Sequence, residues 1–209
     1  MRIAVLGATG RTGRLLADEL LRRDHEVVAL VRDAASAALQ PRVGTVEGDA
    51  RDAAAVDRLL TGTAAVCSAL GPRRGDPAIA ADVAEVLIAA MRTRGVRRFV
   101  GISGAGVTIP GDRKSPRDRA ISAAMQRLGG AMVRDKRDEY ERWAASGLDW
   151  TLVRPPRLVD TDAAGAVEHA ASTSPRRTSI ARADLAAFLV DCVEQGRYVG
   201  AAPLVARGR

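Results

Sequence analysis

Short apolar, β-branched runs alternate with longer segments of helical period along the whole chain. The stretches RIAVLG (Arg2 to Gly7), EVVALV (Glu26 to Val31), VGTVEG (Val43 to Gly48), AAVCSAL (Ala64 to Leu70), RRFVGIS (Arg97 to Ser103) and DWTLVRP (Asp149 to Pro155) read as strands. Helical patterns fill the gaps at Thr12 to Arg23, Asp52 to Leu60, Pro77 to Arg94 and Ala131 to Ala145. A last helix opens either at the capping residue Thr178 or Ser179, or at Arg182 to Asp184, and runs to about Gln195. Parallel strands need crossover connections, so this alternation predicts a parallel sheet covered by helices on both faces. The segment Thr108 to Gly130, punctuated by Pro110, Gly111, Pro116 and the Gly129–Gly130 pair, breaks the rhythm. It reads either as a mobile solvated loop or as a partly helical insertion or lid.

A doubly wound sheet binds its ligand outside the carboxyl ends of the strands, where the strand order reverses. The residues to inspect are therefore Gly7 to Gly13, Arg32, Asp49, Leu70 to Arg73, Ser103 and Arg154 to Arg157. The first of these groups is a glycine-rich turn, VLGATGRTGRLL, with Gly7, Gly10 and Gly13 between a strand and a helix. Such a turn lets backbone N–H groups approach a pyrophosphate at the positive end of a helix. Glycine spacing alone is a weak signal, and here it is G-x-x-G-x-x-G. The flanking strand and helix, and a second strand ending about 20 residues on, supply the context of a Rossmann domain. At the end of that second strand stands Arg32, where an NAD site usually places a carboxylate for the ribose 2′-hydroxyl. A guanidinium suits a 2′-phosphate instead, so the expected cofactor is NADP(H), with Arg11 in the glycine turn as a second contact. Asp49, closing the third strand, either accepts a hydrogen bond from the adenine amine or caps the following helix.

With 209 residues the chain holds one such domain and has no room for a second. Apolar residues make up 47% and charged residues 27%, as in ordinary soluble proteins. No apolar run approaches the ~20 residues that span a bilayer, and the N-terminus enters a strand pattern directly, so a cytoplasmic location is expected. Cys67 and Cys192 have no partners at metal or redox spacing, which argues for two buried small hydrophobes and against a metal site. The net charge is +7 and the pI about 10.5. Aromatics are only 3% and do not interleave with the basic residues, so the charge is expected to serve an anionic cofactor and substrate rather than nucleic acid. Of 32 basic residues only Lys114 and Lys136 are lysines.

The assembled motifs resemble the atypical short-chain dehydrogenase/reductase superfamily, in particular its NAD(P)H-binding, NmrA-like group, which includes flavin and biliverdin reductases. The segment GATGRTG resembles the nucleotide loop of that group, with Thr9 and Thr12 among its contacts. LVRD resembles its 2′-phosphate position, and GDARD, with Asp49 and Ala50, its adenine position. ALGPR, with Leu70, Gly71 and Arg73, resembles its ribose and pyrophosphate segment. SGLDWTLVRPP and SIARADLAAFLV resemble its last strand and C-terminal helix.

The resemblance implies roles for particular residues. Ser103 matches the active-site serine and Lys136 the active-site lysine, there to hydrogen-bond the nicotinamide ribose. Pro155 and Pro156 form a rigid edge against the nicotinamide, and Arg157 faces the substrate. The catalytic tyrosine of the superfamily falls on Met132, whose thioether has no acidic proton. Tyr140, four residues after Lys136, either packs or reaches inward as a substitute donor. His169 is either structural or close to the pocket. Two functions follow as expectations: an NADPH-dependent reductase passing hydride to a planar acceptor such as a flavin, quinone or linear tetrapyrrole, or a non-catalytic NADP(H) sensor of NmrA type acting through a protein partner. A small-molecule substrate is expected, with no nucleic acid, membrane or metal, and the oligomeric state is open.

Overall fold

The protein is described from a computed structural model covering residues 1–71, 76, 78–128 and 130–208, the side chain of residue 128 excepted. The elements in chain order are β1 (Arg2–Leu6), α1 (Arg11–Arg22), β2 (Glu26–Val31), β3 (Gly44–Glu47), α2 (Ala53–Leu59), β4 (Ala65–Ser68), α3 (Ala80–Arg94), β5 (Arg98–Ile102), α4 (Pro116–Leu128), α5 (Gly130–Ala144), β6 (Asp149–Val153), β7 (Arg157–Val159), β8 (Val167–Ala170), β9 (Ser179–Ala181), α6 (Arg182–Glu194) and β10 (Leu204–Arg207). Six strands form a parallel sheet in the order β3-β2-β1-β4-β5-β6. From β1 the chain winds outward to β2 and β3, then returns to place β4 on the other side. The order reverses between β1 and β4, and the crevice for a ligand opens there.

The sheet is covered on both faces, which is why its strands read as continuous apolar runs. In β1, Ile3 and Val5 enter one core with Leu16, Leu20, Phe188 and Leu189 of α1 and α6, while Ala4 and Leu6 enter the other with Leu59, Leu87, Met91 and Trp143 of α2, α3 and α5. Phe99 of β5 stacks on Trp143 with ring centroids 3.7 Å apart. Cys67 and Cys192 are both buried, and burial pushes each thiol up to about 12, so neither supplies a thiolate near neutral pH.

Two small sheets lie beyond the main one, β7 with β9 and β8 with β10. The alternation of apolar runs and helical patterns did not reveal these strands, which lie outside the six runs read as strands and have three or four residues each. His169 belongs to this region: its Nδ1 lies 2.7 Å from the Tyr198 hydroxyl and its ring packs on Phe188, a structural position.

The segment from Thr108 to Gly130 is not a solvated loop throughout. It contains the helix α4, and it is anchored by two buried cations. Arg154, at the end of β6, makes a bidentate pair with Asp112 at 2.7 and 2.6 Å and also donates to the carbonyls of Val107 and Ala202. Four oxygens surround the Lys114 ammonium, the carbonyls of Ala105 and Val107 and the hydroxyls of Thr108 and Ser122, and its three N–H groups are shared among them. A compact tetrahedral ammonium suits this crowded nest of oxygens better than a planar guanidinium, which accounts for a lysine in an arginine-rich chain. Asp112 lies 3.9 Å away, yet burial outweighs its attraction and pushes Lys114 down to about 8.

The glycine turn is fixed by close approach. Gly7 has φ +75°, and a Cβ on it would lie 2.8 Å from the carbonyl carbon of Ala69. A Cβ on Gly13 would lie 2.0 Å from the Gly7 oxygen, so only glycine lets the first turn of α1 pack against the end of β1. At Gly10 the nearest atom would be the Gly7 oxygen at 3.3 Å. Urea denaturation should therefore show Gly13→Ala losing at least about 2 kcal/mol, against less than about 1 kcal/mol for Gly10→Ala.

Lys114 gives a pH-dependent prediction. The unfolded chain keeps this proton up to the ordinary 10.5, whereas the folded chain releases it near 8, so between those values the unfolded state binds more protons. Measured by denaturation across that window, the stability of the wild type relative to Lys114→Met should rise with pH and level off at both ends.

Candidate functional site

Four strand ends around the switch point converge on one narrow crevice. It is lined by Leu6, Gly7 and Thr9 after β1, by Arg32 after β2, by Gly48 and Ala50 after β3, and by Leu70 after β4. Five of the residues singled out from the sequence, Gly7, Thr9, Arg32, Ala50 and Leu70, thus meet in space. The Arg32 guanidinium has no hydrogen-bond or ion-pair partner among the described residues. Asp49 sits between Gly48 and Ala50 and accepts from the Arg51 backbone at 2.9 Å. The cap of α2 is Asp52, which accepts from the Ala54 N–H at 2.9 Å, so of the two roles open to Asp49 the helix cap is excluded. Gly71 follows Leu70 at the same edge, and Arg73 lies outside the described residues.

The middle of the site is the start of α1. Its N-cap, Gly10, provides no side-chain hydrogen bond. The backbone donors of Arg11, Thr12 and Gly13 are in the first turn, where no intrahelical carbonyl is available. Because Gly10 carries no side chain, an oxyanion has a clear approach to these donors and to the positive end of the helix dipole. The geometry fits a pyrophosphate.

Arg11 is not arranged as the sequence suggested. Its Nη1 lies 2.8 Å from Asp160 Oδ2, beyond β7, and the side chain is otherwise exposed. Arg14, one turn later, is the arginine that faces the segment after β2: its guanidinium donates to the carbonyls of Thr9, Ala37 and Ala38. The helical period was the available signal, because residues three apart need not share a neighbour across the turn, whereas Arg14 projects from the face of α1 next to that segment.

On the other side of the switch point, the ends of β5 and β6 open into a cleft of about 530 Å³. Its walls are Ile102 to Gly106 from β5, Pro155 to Leu158 from β6 and β7, Thr178, and Asp118, Ile121, Ser122 and Met125 from α4. Ser103, Pro155, Pro156 and Arg157 are therefore brought together as expected. The Ser103 N–H is held by the Val153 carbonyl at 2.8 Å, which fixes the backbone and leaves the hydroxyl at the cleft wall. Arg157 is exposed and its guanidinium has no partner among the described residues. Met125 and Ile121 form an apolar lid wall, and a Cβ on Gly106 would meet the Met125 sulfur at 2.8 Å.

Lys136 of α5 stands behind Ser103. Its ammonium donates to the Ile102 carbonyl at 3.1 Å and to Glu139 Oε2 at 2.9 Å, which leaves one N–H for a third acceptor. Glu139 is buried, and that burial pushes its carboxyl above the usual range while the Lys136 charge pulls it back. Both lysines of the chain are thus enclosed. Tyr140 does not join this group. Its ring meets Trp150 edge-on with centroids 5.7 Å apart, near the amino end of β6, because α5 descends away from the cleft after Lys136. The substitute-donor role is withdrawn, and Tyr140 is a packing residue.

Among the described residues, no helix is long and apolar enough to cross a membrane. In comparison with known proteins, residues 7–196 match the NAD(P)H-binding family. YwnB of Bacillus subtilis is 29% identical over 169 residues, 77% of this chain and 74% of that protein. A solved structure from Burkholderia pseudomallei is 30% identical, with TM-score 0.80 over 99% of both chains. A structure from Streptococcus pneumoniae named "a putative NADH-flavin reductase" shares the fold, with TM-score 0.79 and 22% identity over 100% of both chains. With its crevice, capless helix and cleft along the sheet edge, and with 7–196 matched, the chain belongs to the NAD(P)H-binding family and has its Rossmann-type fold.

Proposed function

We propose that this protein is an NADPH-dependent reductase that delivers hydride to a planar, electron-poor acceptor such as a flavin, a quinone or a linear tetrapyrrole. The observation that carries this reading is the order of features along the sheet edge. The unpartnered Arg32 is at one end, the open first turn of α1 in the middle, and the apolar cleft with Ser103 at the other. A dinucleotide laid along that line has its adenosine beside Arg32 and its nicotinamide at Ser103 and Pro155. Arg32, with two parallel donors, suits a 2′-phosphate better than a bare ribose hydroxyl.

The bound nicotinamide supplies the hydride; the chain supplies alignment. Pro155 and Pro156 limit where a flat ring can lie, and Ile121 and Met125 cover its outer face and exclude water. The Ser103 hydroxyl donates to a carbonyl of the acceptor or of the carboxamide. Lys136 holds the ribose with its remaining N–H while Glu139 and the Ile102 carbonyl fix its position. Met132 cannot deliver a proton, and acceptors of this class take theirs from water, so the absent tyrosine is tolerated. The same absence also suits a sensor that binds NADP(H) without turnover.

Purified protein mixed with NADPH and a panel of flavins and quinones should consume the cofactor with at least one acceptor, followed by its absorbance. Tight binding without consumption on any acceptor would favour the sensor. Arg32→Ala should weaken NADPH binding about 10- to 100-fold while leaving NADH binding nearly unchanged, the scale of charge-assisted hydrogen bonds. With an accepted substrate, Ser103→Ala should lower kcat/KM about 10- to 100-fold, and full turnover in that variant would remove the hydroxyl from the mechanism.

A further inference from the structure

Beyond Thr178, at the wall of the cleft, lies a second concavity. The segment between β8 and β9 runs past a groove of about 740 Å³, whose walls are Ala166 to Glu168, Arg176, Arg177, Arg207 and Gly208. Thr178, the next residue after Arg177, already belongs to the cleft wall. A recess of about 30 Å³ joins the two, lined by Ala105, Asp118, Pro156 and Thr178 from the cleft and by Arg177 from the groove. That is about the space of one water molecule, so a ligand reaching from cleft to groove crosses over the exposed Thr178.

Hydrogen bonds hold this segment in place. The Arg113 N–H donates to the Ser172 carbonyl at 2.8 Å, the Ser115 N–H to the Ser174 hydroxyl at 3.1 Å and the Arg176 N–H to Glu168 Oε2 at 3.1 Å. Its charge, by contrast, is unbalanced. Arg176, Arg177 and Arg207 are exposed, and their guanidinium groups have no hydrogen bond or ion pair among the described residues. Against these three arginines the groove wall sets one carboxylate, Glu168. Asp118, at the recess, is engaged by Arg117 at 3.2 Å. Arg157 continues the row on the cleft side: its N–H donates to the Thr178 carbonyl at 3.3 Å, and its guanidinium is also without a partner among the described residues. Unpaired guanidinium groups thus lead out of the cleft and end in the groove, and a guanidinium fork matches the oxygens of a phosphate.

We propose that the groove receives the phosphate of an acceptor whose ring lies in the cleft, so that the protein selects a phosphorylated flavin over the same flavin without its phosphate. In FMN the ribityl chain separates ring from phosphate, and here it crosses Thr178 between Arg157 and Arg177. The cleft walls then hold the ring while Arg177, Arg176 and Arg207 hold the far end, and two attachments on one ligand restrict how the ring can turn over the nicotinamide. Arg177 and Arg207 are specificity residues, remote from the reacting atoms. The choice of a flavin rests on the reductase reading above; the anion site itself rests on the unpaired arginines.

The test compares FMN with riboflavin, which differ by the phosphate alone. With NADPH as donor, kcat/KM for FMN should exceed that for riboflavin about 10-fold or more at low salt, and the excess should shrink as salt is raised. The double variant Arg177→Gln, Arg207→Gln should cut the FMN-to-riboflavin ratio about 3- to 10-fold, the scale of exposed charge-assisted hydrogen bonds, and each single variant should show part of that loss. Both substitutions are at exposed positions, and circular dichroism verifies the fold. Equal kcat/KM for the two flavins, or an unchanged ratio in the folded variants, overturns the proposal and leaves the reductase reading standing. If NADPH reduces neither flavin, the flavin reading fails, and the anion site is then read by quenching of flavin fluorescence with NADP+ at saturation. FMN binding more tightly than riboflavin, with the difference lost in the double variant, keeps the site; equal binding overturns it as well.

Discussion

The site depends on how closely the first turn of α1 can approach the end of β1. Two glycines make that approach possible, because a methyl group on Gly13 would overlap the Gly7 oxygen and one on Gly7 would overlap the Ala69 backbone. The contact sets the helix axis, and so places the N–H groups of the first turn beside the crevice at the reversal of strand order. A bulkier residue would tilt the helix, and the donors would no longer converge.

The second half of the site is held by buried charge rather than by shape. The lid segment has little apolar surface to bury, and α4 leaves Ile121 and Met125 exposed. Its attachment comes instead from Asp112 on Arg154 and from the Lys114 ammonium among four oxygens. Buried ionic contacts tolerate little displacement, since removing one partner strands the other charge in a poorly hydrated place. They therefore fix the lid over Ser103 and Pro156 more narrowly than a few apolar contacts would.

Most of the fold was legible because parallel strands covered on both faces must be apolar along their length. The six strands of the main sheet and five of the helices were found within a few residues of their observed ends. Helix α4 is open to two readings in the sequence, since Pro110, Gly111, Pro116 and the Gly129–Gly130 pair punctuate the segment that contains it. The strands β7 to β10 are short and lie outside the apolar runs that mark the main sheet. Within the site, Gly7, Thr9, Arg32, Ala50, Leu70, Ser103, Pro155, Pro156 and Arg157 were identified by their place just after strands, which topology alone dictates. Arg11, Arg14 and Tyr140 were not settled that way, because a helical residue's direction depends on which neighbours its turn faces.

The sequence by itself determined the alternation of elements, the glycine turn, the arginine after β2 and the absence of a tyrosine one turn before Lys136. Local period and residue chemistry suffice for each of these. Only the tertiary structure decided that Arg11 and Arg182 both meet Asp160, that Arg14 faces the segment after β2, and that both lysines are enclosed. Those facts join positions up to 149 residues apart in number, since long charged side chains take whichever partner the packed helices and strands bring within reach.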